Sequence, residues 1–276
     1  MPRDLRPSSA SSGGRYPAAG PVGAQPIFDA HLHIIDPRFP LVANQGYTPE
    51  PFDVAAYHRR TAALPVTGGA VVSGSFQDLD QSYLLDALRR LGPNFVGVTQ
   101  LPPTATDDQI RSLSAAGVRG LRCNLHRGGG QDLDEFAALA ARGAALAGWH
   151  VELYVDARDL HDLAGWLPRL PAFSVDHLGL SAKGLPALLQ LVERGAAVKA
   201  SGFSRGDLDV PAALAAIAAA NPRALLFGTD LPSTRAPRPF ADSDVALVLD
   251  VLGEGLGRLA LHDNAVAFYR LDSAGR

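Results

Sequence analysis

Eight short apolar runs, each followed by a stretch with helical spacing, occupy the chain from Pro26 onward. The runs are Ile27–His31, Gly69–Ser73, Phe95–Val98, Val118–Asn124, His150–Val155, Phe173–His177, Ala197–Ser201 and Ala224–Thr229. Between and after them the spacing predicts helices over Asp53–Ala63, Asp80–Leu91, Asp107–Ala116, Leu133–Ala147, Asp159–Leu167, Leu185–Arg194 and Pro211–Ala220, with Asp242–Leu252 and Asp263–Tyr269 closing the chain. In the second of these helices Leu84, Leu85 and Leu88 are expected on one face. Strands that alternate with helices run parallel, because each crossover returns the chain to the same end of the sheet. Eight repeats in 276 residues suit a single (β/α)8 TIM-type barrel, an α/β fold that typically uses about 250 residues.

Composition narrows the class. Hydrophobic residues make up 47% and charged residues 19%, as in a globular enzyme with a substantial core. The net charge of -3, with both signs interspersed, argues against nucleic acid as a partner, which calls for a basic stripe. No apolar run is long enough to cross a membrane as a helix. Cys123 is the single cysteine, which excludes an internal disulfide framework and a Cys-rich metal site and points to a reducing cytoplasm. Residues 1–25 stand apart as a Pro-, Gly-, Ser- and Ala-rich stretch, expected to be a disordered tail ahead of one barrel domain over 26–276. The stretch lacks the apolar core of a secretory signal, and its prolines and glycines work against an amphipathic presequence.

Barrel enzymes carry their chemistry at the C-terminal ends of the strands. Here those ends offer His31 and His33, Ser73, Gln100, Arg122, Asn124, Tyr154, His177, Ser201 and Asp230. His31 and His33 are two residues apart, so one strand face presents both. Two imidazoles aimed together hold a metal ion or polarise a substrate oxygen. Three histidines and an aspartate converging from strands one, six and eight are far more polar than a core requires. Cys123 reads as a packed small residue, since no base is placed to activate it. Asp176, next to His177, is expected to point away from the barrel interior. Glu152 shares a face with Tyr154 and is a further metal ligand if that face is inward. His126 follows the fourth strand within reach of the site; His58, His150, His161 and His262 read as structural.

The segments Phe28-Asp29-Ala30-His31-Leu32-His33, Val175-Asp176-His177-Leu178-Gly179, Gly228-Thr229-Asp230-Leu231-Pro232 and Asn264–Leu271 resemble the amidohydrolase superfamily in its amidohydrolase 2 branch. Within that branch the chain is most similar to 2-pyrone-4,6-dicarboxylate hydrolases and related lactonases. The resemblance implies a small carboxylated substrate, with Tyr47 in a substrate loop and Ser73 and Tyr154 facing the substrate. It implies that Arg122, Arg127 and Arg205 grip carboxylates, although the step from Arg122 to Arg127 is one residue shorter than in those relatives. Arginine suits that task because its planar fork binds a carboxylate at two points. Thr234–Arg238 is expected to shape the rim.

The same resemblance implies that Asp230 is a general base for water and that His31, His33 and His177 stabilise the oxyanion. It leaves two cofactor states: none required, or one divalent metal, Zn2+ foremost, on His31, His33, His177 and Asp230. The thinner strand-end set, with no lysine ending the fifth strand and Ser201 ending the seventh, matches the metal-independent relatives. The alternatives are a sugar-acid lactonase, a metal-dependent decarboxylase and a non-catalytic binding barrel. A homo-oligomer is compatible with any of them.

Overall fold

A computed structural model describes residues 25–126 and 132–271. Eight parallel strands form one sheet in sequence order: β1 Ile27–Leu32, β2 Val66–Val72, β3 Phe95–Thr99, β4 Val118–Asn124, β5 His150–Tyr154, β6 Phe173–Val175, β7 Ala197–Ala200 and β8 Leu225–Phe227. The helices are α1 Val54–Thr61, α2 Ser82–Leu91, α3 Asp107–Ala115, α4 Leu133–Ala147, α5 Leu185–Glu193, α6 Val210–Ala220, α7 Ser243–Arg258 and α8 Asn264–Phe268. Their starts follow local chemistry. Asp53, Asp132 and Asp209 accept backbone N–H groups at the first turns of α1, α4 and α6, and Thr106 with Gln109 forms a capping box on α3. The fold is the (β/α)8 barrel that the alternation predicts.

Three local differences have physical causes. The expected helix over Asp159–Leu167 is absent; β5 and β6 are joined by single 3-10 turns at Ala157–His161 and Leu167–Arg169. Gly165 weakens a helix there, and Pro168 has no N–H to close one. In α2, Leu84 and Leu88 are buried with Tyr83 and Ala87, while Leu85 lies at the stripe's edge and is exposed. The closing helix runs on past Leu252 to Arg258, broken at Gly253, whose φ is +70°.

The sheet closes into a barrel at its C-terminal end. Asp230 N–H donates to His31 O at 2.7 Å and His33 N–H to Leu231 O at 2.8 Å. On the outer side of this seam the Asp29 carboxylate accepts from Thr229 N–H at 2.8 Å, Thr229 Oγ1 at 2.7 Å and Tyr57 OH at 3.1 Å. Gly228 permits the approach, because a Cβ there would sit 2.7 Å from both Cβ and N of His31. Gly228→Ala is therefore expected to cost about 1–3 kcal/mol through overpacking against backbone. An unchanged urea midpoint would refute this account of the seam.

Two packed layers result. The larger lies between the sheet and the helices and holds Val71, Leu121, Cys123, Leu153, Val198 and Phe227. The smaller fills the lumen with Phe28, Ala30, Ala70, Val72, Val96, Val98 and Leu226, plugged from below by Tyr269 just after α8. Where β4 to β7 line the lumen it is charged instead: Arg122, Glu152, Asp176 and Lys199 are all at most 5% exposed. The structure thus places its ionised groups directly beneath the C-terminal mouth. Among the described residues no helix is long and apolar enough to cross a membrane.

Candidate active site

His31 and His33 reach the mouth through a β-bulge. Asp29 pairs with Gly69 and Leu32 with Val71, so β1 holds one residue more than β2 between those points. The extra residue turns Asp29 outward to the seam and leaves both imidazoles inward, with ring centroids 5.1 Å apart. His33 Nδ1–H donates to Val72 O at 2.7 Å. A carbonyl only accepts, so the proton is on Nδ1 and the Nε2 lone pair faces the cleft. Burial, with Arg122 nearby, pulls the His33 pKa down to about 3, so the ring is neutral. Sequence reasoning expects His33 to stabilise the oxyanion by a hydrogen bond or through a bound ion; this tautomer presents an acceptor at Nε2, which suits the second route and not the first.

His177 arrives by a different route. β6 ends at Val175, and the alternation of Ser174 and Asp176 points both inward. His177 and Leu178 then take left-handed φ values of +52° and +55°, and the turn brings the imidazole back over the mouth. Asp176 is consequently buried inside the lumen, contrary to the outward direction expected from strand alternation through His177. His177 Nδ1 lies 3.0 Å from Ser201 Oγ. Gly202, at φ +57°, leaves room there, since a Cβ would fall 2.8 Å from both His177 Nδ1 and Arg205 Cδ.

Asp230 sits at the centre. Its Oδ1 lies 4.0 Å from Nε2 of each of His31, His33 and His177. That oxygen is buried and without a hydrogen-bond partner, as is His31 Nε2. Oδ2 accepts from Arg205 Nε at 2.7 Å. Burial raises the Asp230 pKa above the usual carboxylate value of 3.8, and Arg205 opposes that rise. Burial also holds His31 and His177 well below 6.5, so all three rings are neutral near pH 7.

A narrow cleft opens to solvent above these groups. Tyr47, Arg122, Asn124, Tyr154, Arg205 and Arg235 help line it. Arg122 donates from Nη1 to Ser73 O at 2.8 Å and from Nη2 to Asp176 Oδ2 at 3.1 Å. Arg205 also reaches Thr234 O at 2.8 Å. Arg235, within the expected rim segment, stacks over Tyr47 at 4.4 Å and donates to Asn44 O, tying the loop after β1 to the loop after β8.

Other expectations fare differently. The Ser73 hydroxyl turns away to Tyr83 OH at 2.6 Å, so Ser73 serves the site through its carbonyl. Gln100 braces the loop after β2 through Gly74 O and Asp78 O. Arg127 lies outside the described residues. His126 packs on Tyr154 with ring centroids 5.0 Å apart, in a neighbouring cavity rather than at the imidazole cluster. Burial pushes the Cys123 thiol up to about 12, as suits a packed side chain. Glu152 does turn inward, but toward Lys199, Tyr269 and His150. Lys199 itself was missed as a site residue. Its signal was available: it lies two residues before Ser201 and so shares that residue's inward face.

As ligand types, three imidazoles and a carboxylate suit one divalent ion. His31, His177 and Asp230 bring donor atoms within 4.8 Å of one another, and His33 Nε2 stands 4.0 Å from the same carboxylate oxygen. The two unpartnered atoms, His31 Nε2 and Asp230 Oδ1, are where such an ion would bind.

A parallel (β/α)8 barrel that brings His31 and His33 from the end of β1, His177 from after β6 and Asp230 from after β8 to its C-terminal mouth has the layout of a barrel enzyme. The chain belongs to the amidohydrolase family, whose model matches residues 28–271. It is 32% identical over 164 residues to 2-pyrone-4,6-dicarboxylate hydrolase of Comamonas testosteroni, covering 58% of this chain and 52% of that protein. It is 28% identical over 283 residues to D-galactarolactone isomerase of Agrobacterium fabrum, covering 92% and 94%. It is 29% identical over 160 residues to 4-sulfomuconolactone hydrolase of Hydrogenophaga intermedia, covering 55% and 52%. The matched stretch thus spans about half the length of the two hydrolases. A crystal structure of a candidate 2-pyrone-4,6-dicarboxylic acid hydrolase from Pseudomonas putida superposes with a TM-score of 0.77 at 26% identity, covering 89% of this chain and 98% of that one.

Proposed function

We propose that the chain opens the ring of a lactone bearing at least one carboxylate, using water activated by Asp230. The observation that carries this is Asp230 Oδ1, buried, unpartnered and equidistant from three neutral imidazoles. The relatives named for lactone chemistry support the same reading. Arg122, Arg205 and Arg235 outnumber the acidic groups at the cleft, even with Asp176 beneath it counted, which favours an anionic substrate.

In this mechanism a water donates one hydrogen bond to Asp230 Oδ1 and the other to the His33 Nε2 lone pair. Its oxygen attacks the lactone carbonyl carbon as Asp230 takes the proton. The carbonyl electron pair moves onto oxygen, where His31 and His177 present Nε2 to the oxyanion. Collapse breaks the ring C–O bond, and the departing oxygen receives the proton from Asp230. Arg122 and Arg205 hold the substrate carboxylate, with Tyr47 and Tyr154 as walls. If a divalent ion is bound on His31, His33, His177 and Asp230, it supplies carbonyl polarisation and a more acidic water.

The pH profile follows from the groups' charges. Asp230 must be ionised, and its pKa is raised, so activity is lost on acidification at a pH above the ordinary aspartate value of 3.8. The histidines are already neutral, so kcat/KM is expected to show one acidic limb, that of Asp230, with no further ionisation from the three site imidazoles. A second acidic limb would contradict this electrostatic account.

The direct experiment is a panel of mono- and dicarboxylic lactones and uncharged lactones, with and without chelator, followed by pH-stat. Hydrolysis at neutral pH releases one proton per ring opened. A second reading, lactone isomerisation, is favoured by the match along nearly the whole isomerase; it changes the lactone without proton release. Turnover of uncharged lactones alone would overturn the carboxylate assignment.

A further inference from the structure

We infer that Lys199 fixes His31 as an Nε2–H donor into the cleft and thereby disfavours its use as a metal ligand. Lys199 is a fully buried lysine in the middle of β7. It is ion-paired with Glu152, and its Nζ lies in hydrogen-bonding geometry 3.4 Å from His31 Nδ1. An ammonium has three donors and no acceptor, so His31 Nδ1 must accept. A neutral imidazole that accepts at Nδ1 carries its proton on Nε2. Nε2 is buried and unpartnered, 4.0 Å from Asp230 Oδ1 at the base of the cleft.

The competing tautomer has an identifiable partner. Asp176 Oδ1 is 3.5 Å from the same His31 Nδ1, but it is left without a hydrogen bond. A histidine that binds metal normally donates its other N–H to a carboxylate or carbonyl, leaving the lone pair for the ion. His33 has that arrangement through Val72 O; His31, facing an ammonium, has the reverse.

Lys199 is held in place from below. Tyr269 OH donates to Glu152 Oε1 at 2.7 Å and His150 Nε2 lies 3.3 Å from the same oxygen, while Glu152 Oε2 receives Lys199. Tyr269, Glu152, Lys199 and His31 thus form one continuous line from the floor of the barrel to its mouth. Lys199 is a positioning residue. His31, Glu152 and Asp176 bring donor atoms within 4.8 Å of one another inside the lumen, and Lys199 Nζ contacts the first two of them. The catalytic value of the Nε2–H donor rests on the proposed lactone hydrolysis; the tautomer itself does not.

The test is long-range 1H–15N correlation NMR of the labelled full chain at pH 7.5, with the His31 signals assigned by their loss in His31→Asn. Wild type is expected to show His31 as Nε2–H. Lys199→Met is expected to switch it to Nδ1–H, donating to Asp176, and to raise affinity for zinc by about ten- to a hundred-fold, measured by metal titration. A wild-type His31 in the Nδ1–H form, or a tautomer and zinc affinity unchanged in Lys199→Met, overturns the inference. Should Lys199→Met not fold, the Glu152→Leu/Lys199→Met double variant replaces it, and the wild-type spectrum decides the tautomer alone. None of these readouts uses a substrate, so a failed lactone screen leaves them intact, and an Nδ1–H His31 leaves the screen intact.

Discussion

Asp230→Asn is expected to lower kcat on a carboxylated lactone by about a thousand-fold, within the range that removing a general base costs. The amide oxygen of Asn can still accept from Arg205 Nε, which lies 2.7 Å from Oδ2, so the side chain keeps its place. The loss should therefore fall on kcat, with KM changed by only a few fold, because the substrate carboxylate is held by arginines and not by Asp230. Steady-state kinetics read the two separately, and near-UV circular dichroism checks the fold. A variant that retains a tenth or more of wild-type kcat would remove Asp230 from the role of base.

The second large effect is on stability. Glu152→Leu is expected to cost about 3–5 kcal/mol, because it strands the Lys199 ammonium in a lumen that water does not reach. Burial alone would push Glu152 upward, yet the adjacent ammonium holds its pKa at about 2, so the carboxylate is ionised at all working pH. The Glu152→Leu/Lys199→Met double variant should recover most of the loss, since an apolar pair of similar volume leaves no charge uncompensated. Urea unfolding of wild type, both single variants and the double variant gives the coupling. Additive effects would mean that the two side chains do not act as a pair.

Which way individual charges point was decided by features that strand alternation cannot see. The bulge in β1 sends Asp29 to the seam, where it accepts three hydrogen bonds, while keeping His31 and His33 inward. The left-handed turn at His177 lets two consecutive residues, Asp176 and His177, both serve the interior. A sequence read at strict period two puts Asp29 on the face of His31 and places one of Asp176 and His177 outside, and for Asp176 that choice was wrong. The Ser73 hydroxyl was likewise expected in the cleft and bonds Tyr83 instead.

The order and number of the strands, the helices that open at or near Asp53, Asp107, Leu133 and Pro211, and the meeting of His31, His33, His177 and Asp230 follow from the sequence by itself. Period and capping act over a few residues, and a closed parallel barrel brings every strand's C-terminal end to one mouth. Only the tertiary structure decided that Lys199 fills the lumen beside Glu152, that Arg205 braces Asp230 and that Arg235 clasps Tyr47. Those contacts join residues far apart in the chain, and their partners are set by barrel closure, local bulges and loop turns that leave no periodic trace.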